Sequence, residues 1–434
     1  MESNRLLHPF HHGFRAMHNT TTALLQMMDV WLEALDEDNI TAVIMLDLSA
    51  AFDVVDCFLL LEKLKIYGFN EKEVVWMHSY LAGRRQQVYV DGCLSEPADL
   101  EAGVPQGSIL GPLLYIIFTN DLPEIIHDHL FDNNTFFNLD CKTCGSICSF
   151  ADDSSLSVSG KDAGLINEEI SAKFSMVKKY MSQNKLVLNS EKTHLLVMAT
   201  KNQHRKYGNF GIVLNTGNEV IDPIDDEKLL GCRISNDFKF NKHIRDHEKS
   251  MSNLLFSKLN ALKKISISAS FKNRKKIAEG IIMSNILYVI TVYGASDEYL
   301  LNHLQVIQNN AARCVTRLGW NARVAELLSQ CGWMSVRQLV YYHTLMQVFK
   351  IKRDGKPAYL YRKLSAQFDP RTRLAVGNGI RGTLKIKSEE RRKSFIPRAI
   401  RTWNSLPVSL RKIDKINEFK KQLNMYVKKN VKVS

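Results

Sequence analysis

Two adjacent acids, Asp152 and Asp153, lie in a segment, residues 149–158, whose other residues favour β-structure. Neighbouring carboxylates are costly in a strand, because aspartate is depleted from strands and like charges repel. The cost is smallest at the tight turn of a hairpin, where both side chains could project toward one divalent cation. Such a pair also fits a solvated turn, so a metal site requires a further acid from another strand.

Asp47 is the candidate for this further acid. It interrupts an apolar run at residues 41–48 that is short, rich in Val and Ile, and typical of a buried strand. A carboxylate there must be paired, protonated or bound to a metal, because burying an isolated charge is costly. Asp47, Asp152 and Asp153 would supply the oxygen ligands that Mg²⁺ or Mn²⁺ prefers. Two ions held in this way can activate a hydroxyl and stabilise a leaving pyrophosphate, which is the chemistry of nucleotidyl transfer.

The elements that must position these acids include both helices and short strands, and we expect an α+β fold. Asp91-Gly92 between two short alternating runs is a strong hairpin signal. Apolar residues at helical spacing predict helices at residues 23–35, 54–67, 71–81, 109–118 and 162–183. A turn and a strand are expected at residues 185–199, and residues 243–320 are helical and basic.

Three motifs, in order along the chain, resemble those of reverse transcriptases of non-long-terminal-repeat (LINE-like) retrotransposons. Residues 46–53, Leu-Asp-Leu-Ser-Ala-Ala-Phe-Asp, resemble the first palm motif of that family. Residues 103–114, Gly-Val-Pro-Gln-Gly-Ser-Ile-Leu-Gly-Pro-Leu-Leu, resemble the second motif. Residues 150–153, Phe-Ala-Asp-Asp, match the catalytic hairpin, with Phe where Tyr is more usual. The resemblance implies RNA-directed DNA synthesis that uses an RNA template, a DNA primer, deoxynucleoside triphosphates and Mg²⁺ or Mn²⁺.

The resemblance also implies roles for single residues. Phe52 would be the steric gate that excludes a ribose 2′-OH, although any one Phe also fits core packing. Gln106 and Gly107 would lie at the incoming nucleotide. Lys192 is a candidate general acid for the pyrophosphate, because a positioned ammonium can donate a proton, and a solvated surface lysine is the alternative. The metal ligands and catalytic acids would be Asp47, Asp152 and Asp153.

The family's right-hand architecture gives the expected domains. We expect a fingers remnant at residues 1–40, a palm with an antiparallel sheet at 41–242, a helical thumb at 243–330 and a basic C-terminal region at 331–434. The family carries further fingers segments, and often an endonuclease, before the position of residue 8. We therefore expect an N-terminally truncated element or an incomplete gene model. The alternative to a working polymerase is an impaired remnant that only binds RNA or primer–template.

The 434 residues carry a formal net charge of +13, which is compatible with a polyanionic partner, although charge alone is better explained by a basic surface without a particular partner. The candidate phosphate contacts of the thumb are Lys263, Lys264, Arg274, Lys275 and Lys276. A solvated charged face is the alternative explanation for these residues.

The cysteines and the apolar segments limit the other classes of function. Eight cysteines in a chain of this length do not suggest a disulfide scaffold. Cys141, Cys144 and Cys148 could bind zinc together with His127 or His129, or could simply belong to a surface insertion. No secretory signal is visible, and the most apolar stretch, residues 279–294, is too short to span a bilayer. We expect a soluble intracellular protein.

Overall fold

The chain forms two compact units in the computed structural model, which describes residues 6–126, 146–208, 210–216, 219–365, 380 and 386–432. The first unit consists of Met1–Ala23 and Asp38–Asp225. The second unit consists of Leu24–Glu37 and Asp226–Ser434, so it is assembled from two separate stretches of sequence.

The first unit combines short helices with a central sheet. Its strands are β1 (Ile40–Leu46), β2 (Arg84–Gln86), β3 (Tyr89–Val90), β4 (Cys93–Leu94), β5 (Ala98–Leu100), β6 (Ser146–Phe150), β7 (Asp153–Gly160), β8 (His194–Met198), β9 (Leu214–Asn215), β10 (Val220–Ile221) and β11 (Pro223–Ile224). Its helices are α1 (Thr20–Asp36, which continues into the second unit), α2 (Cys57–Ile66), α3 (Glu71–Leu81), α4 (Leu110–Thr119), α5 (Leu122–Ile126), α6 (Ala163–Gln183) and α7 (Lys201–Tyr207).

The five-stranded sheet has the order β11-β8-β1-β7-β6. β1 lies in the middle and runs antiparallel to both β7 and β8, while β11 is parallel to β8. All seven residues of β1 are buried, and its alternate residues Ile40, Ala42, Ile44 and Leu46 share a core with residues of α2, α4 and α6. An apolar run without alternation is the pattern expected of a strand covered on both faces. The prediction of an α+β fold with an antiparallel sheet is confirmed.

Helix α3 shows how local sequence sets an element boundary. The Asn70 side chain accepts a hydrogen bond from the Glu73 backbone N–H, and Glu73 accepts one from the Asn70 backbone N–H. This capping box satisfies two donors that would otherwise lack partners at the helix start. The observed helix, Glu71–Leu81, has the predicted bounds.

The second unit is almost entirely helical. It begins with the hairpin β12 (Asp226–Leu229) and β13 (Cys232–Ser235). The helices that follow are α8 (Asn241–Ile244), α9 (Met251–Ser266), α10 (Phe271–Ala278), a π-helical turn (Glu279–Met283), α11 (Ser284–Leu287), α12 (Ile290–Tyr293), α13 (Glu298–Thr316), α14 (Val324–Cys331), α15 (Val336–Asp354), α16 (Ala358–Ser365), α17 (Glu389–Lys393), α18 (Phe395–Asn404), α19 (Val408–Arg411) and α20 (Ile416–Asn430).

A buried polar cluster joins α1 to the C-terminal part of the second unit. The Arg391 guanidinium forms an ion pair with the Asp29 carboxylate, and both side chains are almost fully buried. The Tyr359 hydroxyl donates to Asp29 Oδ2 at 2.7 Å. Lys363 Nζ lies 2.6 Å from Glu33 Oε2. The structure therefore divides residues 1–40 between the two units, which the domain boundaries expected from sequence did not anticipate.

Two features bear on the remaining sequence predictions. Of the candidate zinc ligands only Cys148 is described, and Cys141, Cys144, His127 and His129 lie outside the described residues. Burial in β6 raises the pKa of the Cys148 thiol to about 12, which favours the thiol over the thiolate. Across the described ranges, no helix is both long and apolar enough to cross a membrane.

Candidate active site

The three predicted acids lie at one end of the central sheet. Asp47 follows the last residue of β1. The final pair between β1 and β7 joins Leu46 to Ser154, so the next position of the same register sets Asp47 beside Asp153. In antiparallel strands, the Cα atoms of directly opposite residues are about 4.5–5.5 Å apart, and charged side chains at such positions interact. The strand pairing thus brings together acids that are more than a hundred positions apart in sequence.

The hairpin turn holds Asp152 in place. Phe150 pairs with Asp153, which leaves Ala151 and Asp152 as the two turn residues. Ala151 has φ of 57°, a left-handed conformation that is unusual for a residue with a side chain. The backbone of Gly13 lies very close to this turn, since a Cβ on Gly13 would lie only 2.4 Å from the Ala151 backbone nitrogen.

The N-terminal segment reaches the hairpin through backbone hydrogen bonds. His12 N donates to Ser149 O at 2.8 Å, and Ser149 N donates to Phe10 O at 2.9 Å. His11 forms a parallel bridge with Ser149, and its imidazole lies within hydrogen-bond distance (3.2 Å) of Thr119 Oγ1. Burial lowers the pKa of His11 to about 3, helped by the positive charge of Arg15, so the ring stays neutral. His11 therefore has a structural role next to the hairpin.

The charges at the site repel one another. Burial raises the pKa of Asp153 to about 6, and the negative charges of Asp152 and Asp47 add to this rise. The ammonium of Lys192 acts in the opposite direction. Lys192 Nζ lies 3.1 Å from Asp47 Oδ2, and 65% of the Lys192 side chain is exposed.

Lys192 reaches Asp47 because two chain segments pair. Leu188 forms an antiparallel bridge with Leu48, and Asn189 N donates to Asp47 O at 2.9 Å. A 3₁₀ turn at Ser190–Lys192 then carries the lysine toward the end of the sheet. The structure therefore joins the predicted general acid to the predicted metal ligands.

The carboxylates fit a hard divalent cation by their chemistry. In the described part of the chain, we find no group of three or more His, Cys, Asp or Glu side chains close enough together to hold a metal ion. Asp47 is instead paired with Lys192. Burial is the main cause of the raised pKa of Asp153, and the charges of Asp152 and Asp47 add to it; a divalent cation bound by these oxygens would oppose both effects.

Phe52 lies between two other aromatic rings. It stacks on Tyr115 with ring centroids 4.5 Å apart and an interplanar angle of 20°. Phe14 meets it edge-on, with centroids 5.9 Å apart. Phe52 is only partly buried, whereas Tyr115 beneath it is fully buried. The stacked tyrosine fixes one face of the predicted steric gate.

Tyr115 also faces the acids. Burial raises the pKa of its hydroxyl, and the charges of Asp152 and Asp153 contribute. The hydroxyl oxygen has no hydrogen-bond partner among the described residues, although it is buried. Sequence reasoning missed this residue, because Tyr115 is indistinguishable from the other apolar residues of its helix. Gly13 was missed for a similar reason, since its close contact is with a turn far along the chain.

The second motif packs against the loop that follows Asp47. Val104 N donates to Phe52 O at 2.8 Å, which connects this motif to the predicted steric gate. Gln106 is exposed, and its Nε2 donates to Asp53 Oδ1 at 2.9 Å. Gly107 has φ of 80° and open space where a Cβ would lie. An exposed backbone of this kind allows a ligand to approach closely.

The predicted nucleic-acid contacts differ in their exposure. Lys263 and Lys264 lie in the last turn of α9 and are exposed, as is Lys276 in α10. Lys275 is partly buried, with Nζ 3.8 Å from Glu279 Oε1.

Arg274 does not fit the predicted contact with nucleic acid. Its side chain is almost fully buried. Nε donates to Val315 O at 2.8 Å, and Nη1 donates to Ala269 O at 2.6 Å. The guanidinium therefore satisfies carbonyl groups at helix ends instead of facing a phosphate.

Comparison with known proteins identifies the class. A family model described as reverse transcriptase (RNA-dependent DNA polymerase) matches residues 1–227. The chain belongs to the reverse transcriptase family, and the predicted membership is confirmed.

Relatives come from insect mobile elements. The chain is 26% identical to the RNA-directed DNA polymerase from mobile element jockey of Drosophila funebris, over 86% of this chain and 39% of that protein. It is 24% identical to the probable RNA-directed DNA polymerase from transposon BS of Drosophila melanogaster, over 81% of this chain and 37% of that protein. The chain thus spans less than half the length of these curated relatives.

Two solved structures show lower similarity. Telomerase from Candida albicans in complex with a fragment of telomeric RNA is 10% identical, with all of this chain and 57% of that chain covered and a TM-score of 0.43. Apo telomerase from Candida tropicalis is 12% identical, with 81% and 57% covered and a TM-score of 0.37.

Proposed function

We propose that this chain is an RNA-directed DNA polymerase that adds deoxynucleotides to the 3′-OH of a primer. The observation that carries the proposal is the meeting of Asp47 with Asp152 and Asp153 at one end of the central sheet. A purely structural sheet has no need of three clustered acids, two of which help to raise the pKa of Asp153.

The acids and Lys192 would have different roles in the reaction. Asp47, Asp152 and Asp153 would hold Mg²⁺ or Mn²⁺, and two such ions, when bound, stabilise the attacking and leaving oxygens of an in-line displacement. Lys192 is mostly exposed and reaches the site through Asp47. Its ammonium would donate a proton to the departing pyrophosphate.

The second motif and the aromatic stack would select the nucleotide. The partly buried ring of Phe52 would exclude a ribose 2′-OH, and the stacked Tyr115 would prevent the ring from turning aside. The open backbone at Gly107 and the exposed Gln106 would lie along the incoming nucleotide.

Assignment of regions follows the same proposal. Residues 41–242 would act as the palm, and residues 243–330 as the thumb that follows the nucleic-acid backbone. Its exposed cations, Lys263, Lys264 and Lys276, would contact phosphates of the RNA template and DNA primer duplex. Of residues 1–40, those in the first unit, residues 1–23, would belong to the fingers, and we give residues 331–434 no chemical role.

Primer extension on an RNA template tests the proposal. Purified wild-type protein with Mg²⁺ or Mn²⁺ should extend a DNA primer, and Asp152→Asn should reduce extension by about 10³-fold or more, equal to about 4 kcal/mol of transition-state energy. Primer–template affinity should change little. Asp222→Asn, which removes the same charge at an exposed position of the first unit, should extend like the wild type.

The alternative makes a different prediction for the same experiment. A remnant that only binds nucleic acid would show no extension with any variant, while still binding primer–template in a salt-dependent way. That result would reject the polymerase. Convergence of the acids makes this outcome the less favoured of the two.

A further inference from the structure

Trp320 is an exposed tryptophan on a cationic surface. It lies in the loop between α13 and α14, and 75% of its surface is exposed. The Arg313 guanidinium carbon lies 4.8 Å from the centre of its ring, within the range of a cation–π contact. Trp31 and Trp403, by contrast, are almost fully buried.

The loop that presents Trp320 is fixed at its base. Arg317 ends α13 in a left-handed conformation with φ of 61°. Its Nη2 donates to Ser266 O at 2.7 Å and to Ile267 O at 2.8 Å, at the C-terminal end of α9. The base of the loop is therefore fixed to α9, and the Arg313 cation lies against the indole. Little conformational entropy of this loop would then be lost on binding.

The chain segments around Trp320 carry mostly positive charge. Residues 249–278 contain eight Lys or Arg and no Asp or Glu, and residues 299–325 contain three Arg and no Asp or Glu. These segments form α9, α10 and α13, which pack on one another. Lys263 lies close enough to Cys314, beside Arg313, to oppose the rise in the pKa of that thiol caused by burial. The surface around the indole is thus complementary to a polyanion.

We propose that Trp320, with Arg313 behind it, is a stacking site for an unpaired base of a single-stranded nucleic acid. The phosphates of that strand would follow Lys263 and its neighbours. The inference rests on the proposed function, because it states how the basic helices contact nucleic acid. Bases stack on exposed aromatic rings without regard to sequence, and a cation beside the ring strengthens the contact. An apolar protein partner would instead have to bury this concentration of positive charge without counter-charges.

Binding of a fluorescently labelled oligouridylate to the full chain tests the site. Trp320→Ala should weaken binding about 5- to 150-fold, the range that base stacking gives, and should leave the salt dependence of affinity unchanged. Lys263→Ala should instead reduce the slope of log affinity against log salt by about 0.7, because one fewer phosphate is neutralised. Trp320→Phe should retain most of the affinity. Trp76→Ala, at an exposed tryptophan of the first unit, should bind like the wild type.

A strand without bases separates stacking from a general disturbance. The wild type and Trp320→Ala should bind an abasic deoxyribose-phosphate strand equally, since neither can stack on it. Equal weakening on the abasic strand and on oligouridylate would overturn the proposal, as would wild-type affinity of Trp320→Ala for oligouridylate.

The two proposals fail separately. Loss of Trp320-dependent binding in a chain that extends primers would remove the stacking site and leave the polymerase. Trp320-dependent binding in a chain that extends no primer would do the reverse.

Discussion

Asp153 carries a charge that its surroundings oppose. Its pKa rises to about 6 through burial and through Asp152 and Asp47, while Lys192 compensates only in part. Either a proton or a cation relieves the repulsion, so the site is prepared for a positive partner. A fully solvated turn would screen this repulsion, so the raised pKa of Asp153 supports the proposed metal site.

Phe52 should control sugar selection. Phe52→Val should lower the preference for deoxynucleotides over ribonucleotides by about tenfold or more, equal to about 1.4 kcal/mol of discrimination, because the ring would no longer meet the 2′-OH. Single-nucleotide incorporation with each sugar measures the ratio. Phe58→Val, at a phenylalanine that is 75% exposed on α2, is the matched control. Unchanged discrimination in Phe52→Val would assign the ring to core packing.

The hairpin of β6 and β7 depends on a contact with a distant glycine. Gly13→Ala would place a methyl group 2.4 Å from the Ala151 nitrogen, so the turn that carries Asp152 must move. A displacement of about 1 Å can cost about 10²-fold in rate, and we expect a loss of this size in primer extension. Circular dichroism should show the fold retained, with a destabilisation of about 1–3 kcal/mol.

The control for this contact is a glycine with free space around it. Gly280 lies in the π-helical turn, and no atom would lie within 4 Å of an added Cβ. Gly280→Ala should extend primers at the wild-type rate. If Gly13→Ala were equally active, the close approach would have no bearing on catalysis.

Local patterns predicted the elements that depend on local chemistry. The buried strand before Asp47 follows from an apolar run, and the start of α3 follows from its capping residues. The Asp91-Gly92 hairpin also formed as predicted, with positive φ at both residues. The pattern predicts both acids at the turn between β6 and β7, but Ala151 and Asp152 form the turn and Asp153 already belongs to the strand. Aspartate and glycine preferences cannot reveal a left-handed alanine.

The sequence patterns could not predict contacts between segments that are far apart along the chain. The charge of Arg274 suggested a phosphate contact, yet the side chain is buried against carbonyls of other turns. Tyr115 follows the second motif directly and stacks under Phe52 of the first motif. Nothing in the sequence indicates that these two residues meet. The role of α1 in the second unit depends on partners more than 300 residues away.

At the scale of the whole molecule, the Asp29–Arg391 pair should be essential to the second unit. Arg391→Met would leave a buried carboxylate without its cation, and such losses cost about 3–5 kcal/mol. Urea unfolding followed by circular dichroism should show a destabilisation of that size. Arg337→Met, which breaks the more exposed pair with Glu298, should cost about 0–1 kcal/mol. Equal effects of the two changes would show that burial of the first pair does not matter.

The division of α1 between the units has a consequence for synthesis. Asp29 leaves the ribosome 362 residues before Arg391, its partner in the finished protein. At about 5–20 residues per second, the helix waits about 20–70 s for that partner. The first unit ends at Asp225, so its sequence is complete well before the second unit can close around α1. Translation therefore allows the central sheet to form first, and α1, which precedes it in sequence, is among the last elements to dock.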